Sequence, residues 1–314
     1  MTTPVGPLTP YVTPAILQQA PTGVSWNSIP SGSQVTPQQR TAEQWNIAQR
    51  ASSQADSYCN QVLRATSNTE YIQGPDYYAT VQQATQNMRV ILSRWPVTGV
   101  TAISVSANQF PRQWTALPAG YWDVETPVLG VYGSVAPTGS GQGGQSVIFS
   151  TQAGGGWWLG RNGYIFQITY VAGWPHCGLT TAVVAGAESI AVDDCTGWAL
   201  PSESGTVGAT GNVYDPGGAQ ETVQVTASSV TAGPGNLTLA SPLQYSHPVG
   251  TMVSTMPPSI QWATTLFSAA IALTRGATAS SIHTIPSGAS GDVKGPTGLV
   301  EEAELLLHGY RRVI

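Results

Sequence analysis

The sequence predicts an α+β protein: a helical core with a β-hairpin and strand region, into which a small all-β module, barrel or sandwich, is inserted. Three observations predict this. A long amphipathic pattern runs from Pro37 to Ala65, and two more helical patterns follow Pro257. An alternating strand, Tyr164 to Ala172, runs straight into a Gly173-Trp174-Pro175 turn. Between them, residues 178–256 break into short strand-like segments bounded by Gly, Pro or Asp. The chain divides accordingly into 1–177, the N-terminal part of the core; 178–256, the inserted module; and 257–314, the C-terminal helices and tail.

Residues 1–35 are rich in Pro, Thr and Ser. Thr13 and Pro14 suit the cap and first position of a short helix to Gln19, and the rest reads as an extended arm. Thr36 and Pro37 start the long helix in the same way. At about 100° per residue, Trp45, Ala48, Ala51, Ser52, Ala55, Tyr58, Cys59, Val62 and Leu63 share one face, the ordinary mark of a core-facing helix. Gly74-Pro75-Asp76 is a turn. Two β-runs, Arg89 to Arg94 and Val100 to Val105, are joined by Trp95-Pro96-Val97-Thr98-Gly99, which predicts a hairpin. Short strands continue through 110–132. The glycines of 133–145 make a flexible loop, and Gly154 to Gly156 a second tip before Trp157-Trp158. In the module, Ser189 to Val192, Glu221 to Val225 and Asn236 to Leu239 read as strands. Ser259 to Arg275 is helical with a broad apolar stripe, and Gly276 is placed to end it. Residues 277–298 read as a Gly- and Pro-rich linker. The last helix, from about Leu299 to Val313, has its glutamates early and its arginines late, as the helix dipole favours.

With 314 residues, 41% of them hydrophobic, the chain can bury a sizeable core. Only 9% are charged, against about 25% in an ordinary soluble protein. Scarce charge fits either a compositional habit of the source or a surface covered by neighbours, because charge is costly to bury at an interface. The net charge is −5 and no basic run exceeds Arg311-Arg312, which argues against general nucleic-acid binding. Cys59, Cys177 and Cys195 form no C-x-x-C, so buried free thiols in a reducing compartment are expected, with a Cys177–Cys195 bridge as the alternative. Met1-Thr2-Thr3-Pro4 has no signal-peptide pattern. Ile260 to Leu273 is too short and too rich in Thr and Ser to span a bilayer. No membrane role is expected, and synthesis and assembly belong in a cytoplasm.

No catalytic constellation emerges. His176, His247, His283 and His308 lack metal-ligand spacing, so no metal or cofactor is expected. His176-Cys177 follows a turn and reads as packing. Asp193-Asp194 reads as a pair that satisfies local backbone N–H groups. Glu188, Glu203 and Glu221 show no glycosidase pattern. Trp157-Trp158 is either an aromatic platform or a strand with one ring on each face.

In order along the chain, an N-terminal arm, a long helix, "SRWPVTGVTAISVS", "TYVAGWP", "LTTAVVAGAESIAVDDCTGW", "LTLASPLQYSHPVGTMVSTMP", "PPSIQWATTLFSAAIALTRGA" and "AELLLHGYRRVI" resemble the head–tail connector (adaptor) proteins of long-tailed bacteriophages. The resemblance lies in the order of these pieces and covers most of the chain. The β-module departs from the smallest, mostly helical members. The resemblance implies a structural virion protein of the neck and not an enzyme. It implies a ring, usually of twelve copies, beneath the portal protein, with double-stranded DNA passing through the lumen without sequence-specific binding. A stopper or tail terminator would dock on the far side. Carried over, Tyr310, Arg311, Arg312, Val313 and Ile314 face the portal. Trp95, Pro96 and Val97, Gly141 and Gly143, and Trp157 and Trp158 are weaker candidates for subunit or tail contacts. A glycan-binding adhesion protein is the alternative function, and an enzyme acting on polysaccharide or peptidoglycan a third.

Overall fold

The computed structural model describes residues 8–30, 35–73, 79–82, 87–107, 110–118, 122–124, 146–149, 164–202, 205–215, 220–275 and 295–312. Among these it is a mixed α+β protein with four α-helices, two four-strand antiparallel sheets, a six-strand sheet curled as a half-barrel and a two-strand ribbon.

The helical layer comprises α1 (Pro14–Gln19), α2 (Pro37–Cys59), α3 (Pro258–Thr274) and α4 (Pro296–Leu307). Thr13 caps α1 by accepting from the Ile16 N–H. Thr36 and Gln39 form a reciprocal capping box on α2. α2 is shorter than its sequence pattern, because Asn60 turns into the left-handed region at φ 54°. Asn tolerates that conformation, and its N–H then closes onto Asp56 and Ser57 carbonyls. Its buried face includes Gln44 and Ile47, which the sequence stripe omitted, whereas Trp45 and Val62 are only half-buried.

α3 is buried nearly all round. Thr264, Thr265 and Ser268 lie inside because each hydroxyl donates to the carbonyl four residues earlier, which removes the cost of an unpaired group. α4 starts at Pro296, earlier than expected, and ends at Leu307 in a 3₁₀ turn over His308–Tyr310. It packs on α3 through Leu299, Ala303 and Leu307. An ion pair between Arg275 and Glu43 joins the C-terminal end of α3 to the first half of α2.

The strands before the module are β1 (Thr66–Gln73), β2 (Ala79–Gln82), β3 (Asn87–Ile91), β4 (Val97–Ala107), β5 (Thr115–Ala116), β6 (Trp122–Val124), β7 (Ser146–Phe149) and β8 (Tyr164–Ala172). They form two four-strand sheets, β1-β8-β4-β5 and β2-β3-β7-β6. β3 and β4 therefore do not form the expected hairpin: they belong to different sheets. β4 pairs along its whole length with β8, from Val97 opposite Ala172 to Ala107 opposite Tyr164. The crossing segment is tied down by Glu70 of β1, which accepts from the Ser93 N–H and from the hydroxyls of Ser93 and Tyr170.

The module contains β9 (His176–Gly178), β10 (Ser189–Val192), β11 (Ala199–Ser202), β12 (Gly205–Gly208), β13 (Thr210–Tyr214), β14 (Glu221–Ser228), β15 (Gly235–Leu239) and β16 (Met252–Ser254). β11 pairs with β12, and the rest order as β10-β15-β14-β13-β16-β9. This sheet curls until its edges touch: Leu179 bridges to Val192, the Thr180 N–H donates to the Ala191 carbonyl and the Asp193 N–H to that of Gly178. Alternate residues face inward around Trp198, whose ring packs against Gly211, where a Cβ would come within 2.6 Å of it. β9 begins at His176, two residues before the boundary drawn from sequence.

The arm is not a free extension. Residues 9–14 are all buried. Thr9 donates its N–H and hydroxyl to Asp193 of the module. The Pro10 carbonyl accepts from His176 Nε2, while His176 Nδ1 accepts from the Ser254 hydroxyl at 2.9 Å. Tyr11 donates its hydroxyl to Asp56 at 2.6 Å and its N–H to Ser52 of α2. Burial pushes the Asp56 carboxyl above its ordinary value, against the hydrogen bonds from Tyr11 and the Leu63 N–H and the charges of Arg64 and Arg94.

At Gly173 (φ +104°) the chain passes so close to α2's exit that a Cβ would lie 2.3 Å from the Arg64 carbonyl oxygen. Gly173→Ala combines this clash with a disfavoured backbone, so we expect a loss of at least ~3 kcal/mol. Gly186 also has positive φ (+88°) but nothing within 4 Å; its alanine variant should cost only about 1 kcal/mol. Urea unfolding of the two variants tests the difference, and equal losses would show that backbone approach at Gly173 is unimportant.

Burial lowers the His176 pKa from 6.5 to about 4. The unfolded chain then takes the proton first as pH falls. The stability this group contributes is complete above about pH 6.5 and is lost towards about pH 4, on the order of 3 kcal/mol. Urea midpoints should therefore drop more steeply with acid in the wild type than in His176→Gln; parallel pH profiles would exclude His176 as the cause.

Candidate functional site

The C-terminal end is built on an aromatic triangle. Trp174 follows the Gly173 crossing, where its N–H donates to the Leu63 carbonyl and its own carbonyl accepts from the Ala65 N–H. Its ring meets Trp95 edge-on at 5.4 Å and Tyr310 at 5.5 Å, and Trp95 stacks on Tyr310 at 6.3 Å. Gln61, just past α2, serves both partners: Oε1 accepts from the Trp95 N–H and Nε2 donates to the Tyr310 carbonyl. The Tyr310 hydroxyl is 2.7 Å from Ser259 Oγ on α3. Beyond it, the Arg312 N–H donates to the Cys59 carbonyl, and the Arg311 guanidinium lies 5.7 Å from the centre of the Tyr58 ring. Both arginines thus sit at the C-terminal end of α2, where the helix dipole favours cations. Cys59 lies beneath, its thiol held up at about 12 by burial and the Asp56 charge, opposed by Arg311.

Of the residues assigned to portal contact, Tyr310 is a half-buried anchor, Arg311 is exposed and Arg312 half-exposed. Val313 and Ile314 lie outside the described residues, as do Gly141, Gly143, Trp157 and Trp158. Pro96 and Val97 are buried, and Trp95 is committed to the triangle. The structure therefore brings Trp95 and Tyr310 together, although they are far apart in sequence.

The acidic pair Asp193-Asp194 has structural partners. Asp193 accepts from the Gly178 N–H as well as from Thr9, and Asp194 accepts from the N–H groups of Thr196 and Gly233. All three cysteines are free and buried. Among the described residues, no group of three or more His, Cys, Asp or Glu is arranged to hold a metal ion. No described helix is long and apolar enough to cross a membrane.

Sequence reasoning missed one cluster. The buried His247 side chain lies between Glu221 (2.8 Å) and Asp215 (3.4 Å). Burial alone would raise the Glu221 pKa, but the Gln244 N–H, His247 and the Tyr245 N–H together bring it below its ordinary value. The three residues are spread over 33 positions, and only strand pairing brings them together. Charge segregation, by contrast, was readable: residues 178–256 hold Glu188, Asp193, Asp194, Glu203, Asp215 and Glu221 and neither lysine nor arginine.

No family model, curated protein or solved structure matches the chain.

Tyr310→Phe removes only the bond to Ser259, about 1 kcal/mol. Tyr310→Ala removes a wall of the triangle, and we expect a loss of about 3 kcal/mol by urea unfolding. Similar small losses for both would mean that the ring does not hold the C-terminal end.

Proposed function

We propose that this chain is a structural virion protein, a head–tail connector that forms a ring beneath the portal, of order twelve by family resemblance alone. There it would prolong the DNA channel and provide the attachment surface for a stopper or tail terminator. The observation that carries this reading is the presentation of the C-terminal end. With Tyr310 anchored, Arg311 and Arg312 leave the core at a defined place beside Tyr58. Arginine forks flanked by an aromatic ring are the composition of interface hot spots. The order of elements is also the order on which the resemblance rests: arm, long helix, strands, β-module and two helices. An acidic module without a single lysine or arginine repels DNA, which suits a channel that must not hold it. The glycan-binding alternative draws no support from the module, whose single tryptophan, Trp198, is fully buried.

The test is co-sedimentation with the purified portal ring of the same virus. Deleting the whole last helix would strip Leu299, Ala303 and Leu307 from the core, so the useful variant is Arg311→Ala with Arg312→Ala. We expect saturable binding by the wild type and at least ~tenfold weaker binding by the double variant. Unchanged binding would move the portal contact elsewhere; no binding by the wild type would overturn the connector reading.

A further inference from the structure

Arg64, Arg94, Arg311 and Arg312, four of the chain's eleven basic residues, meet where α2 ends. Gln61 gathers them. It accepts from the Trp95 N–H and donates to the Tyr310 carbonyl, so Arg94 and Arg311 each flank a residue that it ties. The Arg312 N–H donates to the Cys59 carbonyl and the Arg64 N–H to the Tyr11 hydroxyl, which fixes the backbone at the other two. The charges converge as well. Arg64 and Arg94 both act on the Asp56 carboxyl, and Arg311 acts on the Cys59 thiol less than one turn further along α2.

No described carboxylate forms an ion pair with any of these four guanidinium groups, although Arg275 pairs with Glu43 on the same helix. Two carboxylates lie close by, and both are taken. Asp56 accepts from the Tyr11 hydroxyl and the Leu63 N–H, and Glu70 accepts from Ser93 and Tyr170. Burial keeps the Asp56 carboxyl above its ordinary value in spite of both arginines, so Asp56 is not what the cluster is placed to neutralise. Gathering like charges without a counter-charge costs stability. A ligand of opposite charge would offset that cost.

Aromatic rings lie among the arginines. Arg311 stands 5.7 Å from the centre of the Tyr58 ring, and Trp95 and Tyr310 stack beside it, each half-buried. Arg311 is exposed, and Arg64, Arg94 and Arg312 are half-exposed. The backbone is therefore held at every one of these positions, while the guanidinium groups stay accessible at the rim.

We infer that this arginine cluster receives a carboxylate-rich segment, a run of Asp and Glu side chains, of a partner protein. Arginine forks pair with carboxylates through two parallel bonds, and the rings beside them supply apolar contact. Nucleic acid carries the same sign of charge but is disfavoured by the rest of the chain. The net charge is −5, and residues 178–256 hold six acidic residues and no lysine or arginine. A long polyanion is repelled by that field, whereas a short acidic segment meets the cluster within the screening distance. The inference deepens the connector reading: it rests on that reading for naming the partner as the portal, and not for the partner's chemistry.

The experiment is fluorescence anisotropy of a dye-labelled oligo-glutamate peptide titrated with the full chain, with labelled oligo-glutamine and a labelled DNA duplex as controls. The expected result is saturable binding of the glutamate peptide that weakens as sodium chloride is raised, and none of the glutamine peptide. Arg94→Gln and Arg311→Gln should each weaken it about threefold. Arg50→Gln, at an exposed position in the middle of α2, should leave it unchanged. Urea midpoints check that the variants fold; if Arg94→Gln unfolds earlier, Arg94→Lys takes its place, since it keeps the charge and loses the fork, and weaker binding is again expected. No binding of the glutamate peptide, binding that the Arg94 and Arg311 variants leave unchanged, or tighter binding of the duplex overturns the inference. So does a wild type whose self-association the peptide disperses, because the acidic segment would then belong to a second copy. Peptide binding without portal co-sedimentation would sink the connector reading and keep the cluster; portal binding without peptide binding would do the reverse.

Discussion

The approach of two backbones at Gly173 is the constraint on which the rest of the structure depends. A residue without a Cβ lets β8 end against the exit of α2, and Trp174 is then delivered into the gap between helices and sheet. From that point the chain continues through Pro175 into β9 of the module. The same few residues therefore set how the helical layer, the four-strand sheet and the half-barrel are placed on one another. Trp95 and Tyr310, 79 residues before and 136 residues after Trp174 in the sequence, close over it. The triangle packs only because Gly173 has already set the distance.

Buried polar groups do the complementary work of fixing register. The arm presents backbone groups of Thr9, Pro10 and Tyr11 to Asp193, His176 and Ser52, so each residue is read by a different partner. Such bonds contribute modestly when made, but leaving one partner unpaired in the interior is costly. A shift of the arm by one residue would strand several groups at once. The arm thus ties the module to α2 by specificity more than by apolar area. It places the half-barrel, although it contributes no strand to it.

The low charge content has a related consequence. Most described acidic groups of the module are engaged in holding loops: Asp193, Asp194 and Glu221 each accept from backbone N–H groups. The surface left over is mainly Thr, Ser, Asn and Gln, with a few aromatic and aliphatic side chains held in fixed positions. Desolvating such a surface costs less than desolvating a charged one. A protein that spends its working life against neighbours would be expected to have this surface, and the anchored C-terminal arginines fit the same picture.

The sequence by itself determined the local elements, because their causes are local. Thr13-Pro14 and Thr36-Pro37 start helices through neighbouring caps, and the alternation of Tyr164 to Ala172 marks a strand whatever it pairs with. The turn-bounded segments of 178–256 likewise announced a small β-module. The helix from Pro37 ended early because a single left-handed Asn60 is a backbone choice that periodicity does not encode. Only the tertiary structure decided what those elements meet. β3 and β4 looked like a hairpin because they are adjacent and β-forming, yet β4 gains a full-length partner in β8 and β3 one in β7, and long-range pairing outweighed proximity. The candidate site divides in the same way. Arg311 and Arg312 were visible as a basic pair, whereas their position beside Tyr58 and the clamping of His247 come from contacts across tens to hundreds of residues. Those contacts depend on which surfaces the folded chain brings together, and no local pattern of residues specifies them.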